Sequence, residues 1–70
     1  MPADVITVEF YSQNEPDKLL AAADLPRKRA EEAARMVGRA ICKAVGADSL
    51  NAILIGADGN VVERLLVCRK

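Results

Sequence analysis

The sequence predicts a small α+β protein, a βαββ unit in which one long helix packs on one face of a three-stranded sheet. Three observations support this fold class. A segment from Asp24 to Gly46 has helical periodicity, a β-branched and aromatic run extends from Val5 to Tyr11, and two apolar runs near the carboxyl end flank an Asp-Gly pair. With 70 residues, the chain is expected to form one domain spanning residues 1–70.

The first strand is predicted over Val5–Tyr11. Alternate residues from Ile6 to Phe10 are large and apolar, which is the two-residue period of a strand with one face against a core. A polar turn follows and leads to Pro16, a residue that suits the first position of a helix. We therefore expect Asp17–Ala23 to form two short helical turns before the main helix.

The main helix is predicted to begin at Asp24, as its N-cap, and to end at Gly46, a residue suited to the left-handed position after a helix. Pro26 falls in the first turn, where a missing N–H costs nothing. The buried face is expected to be lined mostly with alanine, so that the helix can approach the sheet closely. The small and apolar residues that occupy one arc of about 140° are Ala30, Ala33, Ala34, Val37, Ala40, Ile41, Ala44 and Val45.

Two further strands, Ala52–Gly56 and Val61–Cys68, are predicted to form a hairpin around Asp58 and Gly59. A two-residue turn would place Ile55 opposite Val62, Leu54 opposite Glu63 and Ala52 opposite Leu65. A three-residue turn with a left-handed Gly59 would shift these pairs by one residue. Both alternatives remain open from the sequence, and in either register both faces of the hairpin carry large apolar side chains.

The expected topology follows from the crossover through the long helix. A right-handed crossover makes the first two strands parallel, and the third strand then lies between them, giving the order 1-3-2. This arrangement resembles half of a ferredoxin-like fold, a likeness of shape that carries no function. Because one helix covers only one sheet face, the other face is expected to bind a second copy of the chain through Leu54, Val62 and Leu66.

The charges are unevenly distributed although the chain is neutral overall. Residues 1–24 hold five acidic residues and one lysine, and residues 25–46 hold six basic and two acidic residues. The basic face of the helix is therefore a candidate surface for nucleic acid or for an acidic protein. The pattern favours a solvated helix face in which Glu31 and Glu32 pair with Arg35. The candidate binding residues are Lys28, Arg35, Arg39 and Lys43.

The composition offers little for catalysis or for metal binding. Histidine is absent, and two cysteines fall short of the four ligands of a structural zinc site, so we expect neither a metal nor a cofactor. Cys42 is predicted at the boundary of the helix's polar face, Cys68 is predicted in the core, and both are expected to be free thiols in a reducing cytoplasm. No segment approaches the ~20 apolar residues of a membrane span, and no small-molecule substrate is indicated.

One alternative concerns the amino terminus. If the initiator is removed, Pro2 becomes a secondary amine, and with the following strand, helix and strand the chain resembles the small tautomerases of the 4-oxalocrotonate family. The pattern from Arg29 to Ile55 is similar to that family's helix and second strand. The resemblance implies that Pro2 is the catalytic base. The second strand, Asn51–Ile55, lacks the substrate-binding arginine of the family.

Together, these observations favour a small cytoplasmic homodimer or higher oligomer that binds another macromolecule, rather than an enzyme. Nucleic-acid binding by the basic helix face and a tautomerase activity at Pro2 are the alternatives.

Overall fold

A computed structural model describes residues 4–69 of the chain. This part contains four strands, one short 3₁₀ turn and one α-helix, and the strands form a single antiparallel sheet in the order β2-β1-β3-β4. In chain order the elements are β1 (Val5–Ser12), β2 (Leu19–Pro26), the 3₁₀ turn (Arg27–Arg29), α1 (Ala30–Val45), β3 (Ser49–Ile55) and β4 (Val61–Cys68).

The α+β class is plausible for this architecture, but the predicted three-stranded sheet in the order 1-3-2 is wrong. The chain turns back after β1 and forms β2, which pairs with β1 from Val5↔Pro26 to Tyr11↔Leu19. The crossover through α1 therefore starts from β2 and not from β1. Since β2 and β3 are both antiparallel to β1 and lie on either side of it, they run parallel to each other, and β4 is left at the edge of the sheet.

The prediction of helical turns over Asp17–Ala23 is wrong for the same reason. The alanines of β2 lie opposite large side chains of β1, with Ala21 facing Phe10 and Ala23 facing Val8. Alanine has a low intrinsic preference for strands, so pairing with β1 decides the conformation. The strand at this edge is thus specified by its neighbour rather than by its own residues.

The helix begins later than predicted because Asp24 belongs to β2 and does not cap α1. The Thr7 hydroxyl donates a hydrogen bond of 2.9 Å to the Asp24 carboxylate. The 3₁₀ turn over Arg27–Arg29 comes between β2 and α1, and the side chain of Arg29, the residue before α1, makes no capping hydrogen bond. The predicted end is confirmed: Gly46 has φ +74°, and the N–H of Ala47 bonds the Cys42 carbonyl at 2.9 Å.

The core lies between α1 and the inner face of the sheet. Gly38 brings the helix close to β4, because a Cβ added at Gly38 would lie 2.7 Å from a methyl carbon of Val67. The predicted helix arc is too wide at its carboxyl end, where Val45 is 54% exposed. The buried residues of the core are Ile6, Val8, Phe10, Ala30, Ala34, Cys42, Leu50, Ala52, Leu54, Leu65 and Val67.

The turn between β3 and β4 combines the two predicted alternatives. Gly59 is left-handed with φ +85°, and the N–H of Gly56 bonds the Asn60 carbonyl at 2.9 Å, which makes a three-residue turn. A bulge then adds Val62 without a partner and restores the pairs Leu54↔Glu63 and Ala52↔Leu65. The turn therefore has the length of the three-residue alternative, whereas most of the strand pairs are those of the two-residue alternative.

The turn is also held by a side chain. The carboxylate of Asp58 accepts hydrogen bonds of 3.0 Å from both the backbone N–H and the side-chain amide of Asn60. These bonds lower the pKa of the Asp58 carboxyl, the backbone bond most strongly. Their contribution to stability is present at neutral pH and is lost as the pH falls through the lowered pKa.

The pairing of β1 with β3 joins the two halves of the chain. Its outermost pairs are Thr7↔Ile55 and Ser12↔Leu50, so partners across this line are 38 to 48 positions apart in the sequence. Strand β1 thus lies in the middle of the sheet, between one strand that directly follows it and one that comes after the helix.

Candidate functional site

The face of the sheet that points away from α1 is the main candidate site, and we call it the open face. Its residues alternate along each strand with those of the core. No element of residues 4–69 covers it. By strand register it comprises Val5, Thr7, Glu9 and Tyr11 of β1, Leu19, Ala22 and Asp24 of β2, Asn51, Ile53 and Ile55 of β3, and Arg64 and Leu66 of β4.

The open face is rich in apolar side chains that are not fully buried. Leu66 is 51% exposed and Leu19 is 50% exposed, and they lie at opposite edges of the sheet. Ile53 and Ile55 are half-buried in the strand next to β4. A shallow cavity of about 350 Å³ opens among these residues and is lined by Tyr11, Pro16, Asn51, Ile53, Arg64, Leu65 and Leu66. Such a surface suits a protein partner better than a small polar ligand.

The charges of the open face are separated across the sheet. Glu9 of β1 and Arg64 of β4 lie in one cross-strand row with Ile53 between them. Within residues 4–69, neither Glu9 nor Arg64 takes part in an ion pair. The acidic groups Glu9 and Asp24 therefore lie on the β1–β2 half, and the basic group lies on the β4 edge.

A hydrogen bond positions the Glu9 carboxylate on this face. The Tyr11 hydroxyl donates to it over 2.7 Å, from the next open-face position of the same strand. This bond to Glu9 is the main reason that the pKa of Tyr11 is raised. The phenol therefore remains a donor throughout the physiological pH range.

The four predicted basic residues do not form one free cationic surface. Arg35 lies 3.5 Å from Glu31 and donates a bond of 3.4 Å to the Leu66 carbonyl of β4. The predicted Glu31–Arg35 pair is therefore present, whereas Glu32 pairs with Arg29 at 2.7 Å instead of with Arg35. The other three residues, Lys28, Arg39 and Lys43, are exposed.

A second, larger cavity of about 760 Å³ lies where the 3₁₀ turn and the start of α1 approach β4. Its floor is apolar, with Ile6 and Leu54 almost fully buried. Its rim carries both signs of charge, namely Arg27, Lys28, Arg29, Arg35, Glu31, Glu32 and Glu63. Because four basic and three acidic residues share the rim, this cavity indicates neither an anion nor a cation as a ligand.

The predicted interface residues are separated by the fold. Val62, at the bulge, is 58% exposed, and Leu66 lies on the open face. Leu54 is 3% exposed and lies in the core against α1, so it contributes to no surface. The sequence analysis did not assign Glu9 and Arg64 to the site. The two-residue alternation of their strands could have placed them on the outer face.

The prediction that Cys68 lies in the core is wrong, and Cys42, predicted at the boundary of the helix's polar face, lies deeper than expected. Cys42 is fully buried, and burial raises the pKa of its thiol, while Cys68 is exposed. We expect a thiol reagent at pH 8 to modify Cys68 rapidly in the folded protein and Cys42 only after unfolding, since the thiolate is the reactive form. A titration with and without denaturant, and with Cys68→Ser as the control, measures this. Two rapidly reacting thiols in the folded protein would contradict the burial of Cys42.

One residue singled out by the sequence analysis lies outside the described part of the chain. Pro2, the base implied by the tautomerase resemblance, lies outside residues 4–69. Within that range, no cluster of acidic or cysteine side chains could hold a metal, and no helix combines the length and apolar character required to cross a bilayer.

Comparisons with models of protein families, with curated proteins and with solved structures found no match.

Proposed function

We propose that this chain is a small cytoplasmic interaction module that self-associates through the open face of its sheet. The observation that supports this proposal is that the helix covers only one of the two sheet faces. Helix α1 packs on one face. The other face leaves Leu66 half exposed next to the strand that holds Ile53 and Ile55, and leaves Leu19 half exposed at the opposite edge. Apolar side chains grouped in this way are typical of a surface that binds another protein.

The size of the open face fits an association of this kind. Four strands of seven or eight residues cover about 500 Å² when the usual strand spacing and rise are applied. Two such faces in contact therefore bury about 1,000 Å², which is the lower limit for a specific protein interface. We expect a dissociation constant in the micromolar range or weaker.

A second copy of the chain is the occupant that this surface fits best. A short chain buries only about 60% of the surface that its unfolded form exposes, so the stacking of two sheets adds a second apolar layer that one copy lacks. The helices remain on the outside of such a dimer. The charged outer face of α1, including Arg39 and Lys43, therefore stays accessible to a further macromolecule.

The cytoplasmic location is supported by the cysteines. Cys42 is buried against the sheet and Cys68 is exposed, and both are free thiols. Free thiols are the usual state in a reducing compartment.

Leu66→Lys is expected to weaken self-association at least about tenfold, because a charged group replaces an apolar one that the contact would cover. The matched control is Met36→Lys, since Met36 is 65% exposed on the outer side of α1. Sedimentation equilibrium of both variants and of the unchanged protein measures the dissociation constants.

The melting temperature of the unchanged protein should also rise with concentration. A monomer at all concentrations up to the millimolar range would refute the proposal.

A further inference from the structure

We infer that the second copy stacks on the open face about a twofold axis that runs along the strands, with Arg64 of each copy paired to Glu9 of the other. This inference rests on the proposed function and adds the geometry of the contact. Twofold dimers bring the same patch of both copies together, so the axis direction determines which residues meet.

Two axis directions allow two twisted sheets to stack with their strands roughly aligned. An axis along the strands, between β1 and β3, reverses the strand order across the interface. It places β4 of one copy above β2 of the other, and β3 above β1. An axis across the strands keeps the order and places each strand above its own equivalent.

The charges of the open face distinguish these two directions. If the axis runs across the strands along the row that contains Glu9 and Arg64, Arg64 of one copy lies above Arg64 of the other. Glu9 of one copy then also lies above Glu9 of the other. With the axis along the strands, Arg64 lies above Ala22 of the other copy, one strand away from Glu9. Opposite charges attract and like charges placed face to face repel, so the second arrangement is favoured.

The side chains around this contact fit the same arrangement. Ala22 is small, which leaves room above it for the long side chain of Arg64 to reach Glu9 one strand spacing away. The Tyr11 hydroxyl already holds the Glu9 carboxylate on the open face at 2.7 Å. The ion pair would thus form with a carboxylate whose position is set before association.

The apolar residues at the two sheet edges also become partners. Leu19, Tyr11, Asn51 and Leu66 form the next open-face row. An axis along the strands keeps each row above its own equivalent and reverses the strand order, so Leu66 of one copy lies above Leu19 of the other. Both are half exposed in the single chain, and the contact covers both.

Charge reversal tests the axis direction. Arg64→Glu and Glu9→Arg each convert two attractive contacts into two repulsive ones, and each is expected to raise the dissociation constant at least about tenfold. The combined variant Glu9→Arg/Arg64→Glu restores the opposite charges and should return to within about threefold of the unchanged protein. Arg39→Glu, a reversal on the outer face of α1, is the control and should leave association unchanged. Circular dichroism verifies that every variant is folded.

The outcomes separate this inference from the proposed function. If the unchanged protein dimerises but the single reversals leave the dissociation constant unchanged or lower it, the axis along the strands is wrong and self-association stands. If the single reversals weaken the dimer and the combined variant does not recover, the Arg64–Glu9 contact is wrong. If the unchanged protein is monomeric, the proposed function itself fails.

Added salt should reduce the difference in dissociation constant between the single variants and the unchanged protein, because it screens the repulsion.

Discussion

Phe10→Ala is expected to lower the free energy of unfolding by about 3 to 5 kcal/mol. Phe10 is the largest of the fully buried side chains and lies on central strand β1, between Ala21 of β2 and Ala52 of β3. Neither alanine can fill the space that the ring leaves. A domain of this length has a total stability of about 4 to 10 kcal/mol, so the substitution removes a large part of it.

Urea denaturation followed by circular dichroism measures this loss. Phe10→Leu is the matched control, since it retains most of the apolar volume and should cost less than half as much. An equal loss for leucine and alanine would mean that the size of the cavity is not the cause. A loss below about 1 kcal/mol for Phe10→Ala would contradict the central position of Phe10 in the core.

Gly38→Ala is expected to destabilise the protein by about 1 kcal/mol, although alanine is the better helix former. A Cβ at Gly38 would lie 2.7 Å from one Val67 methyl and 3.2 Å from the other. Overpacking of this kind costs about 1 to 3 kcal/mol, whereas the gain in helix propensity is only about 1 kcal/mol. The net loss should lower the melting temperature by about 4 to 8 °C.

The cause can be isolated by repeating the substitution in a Val67→Ala background. Both Val67 methyls are then absent, so their contacts of 2.7 Å and 3.2 Å disappear and only the 3.1 Å contact with the Cβ at position 67 is left, while the helix-propensity gain remains. We therefore expect Gly38→Ala to change sign and to stabilise Val67→Ala, with a coupling energy of about 2 kcal/mol in the double-mutant cycle. Additive effects would show that the close approach of α1 to β4 does not determine the need for glycine at position 38.

The parts of the fold that the sequence predicted have clear local signals. Strand β1 has alternating large apolar residues, α1 ends at a glycine with positive φ, and the β3–β4 hairpin surrounds the turn at Asp58 and Gly59. In each case the residues favour one conformation without help from distant parts of the chain. Local preference and tertiary structure agree there, and the sequence is sufficient.

Strand β2 could not be predicted in this way. Its residues from Leu19 to Ala23 are good helix formers and lack a two-residue alternation of polar and apolar side chains. Its conformation depends on pairing with β1, where small alanines face large side chains. Asp24 added to the error, because an aspartate two residues before a proline resembles a helix N-cap, while in the structure it accepts a bond from Thr7.

The topology error follows from the missed strand. Because β2 was not predicted, the crossover through the helix was expected to begin at β1. A crossover from β1 makes β1 and the strand that follows the helix parallel. Of the predicted interface residues, Leu66 is exposed on the open face, whereas Leu54 is buried in the core. An extra strand before the helix changes the order of the sheet but not the number of faces that the helix can cover.

The pairing of β1 with β3 affects how the chain folds during its synthesis. The β1–β2 hairpin and α1 are complete once about residue 45 has been synthesised, but β1 has no second neighbour until Ser49–Ile55 follow. The three buried side chains of β1, Ile6, Val8 and Phe10, lack the contacts of β3 until its buried residues Leu50, Ala52 and Leu54 have been added. Because β3 and β4 supply five of the buried core residues, the nascent chain completes this core only after residues 49–68 have left the ribosome.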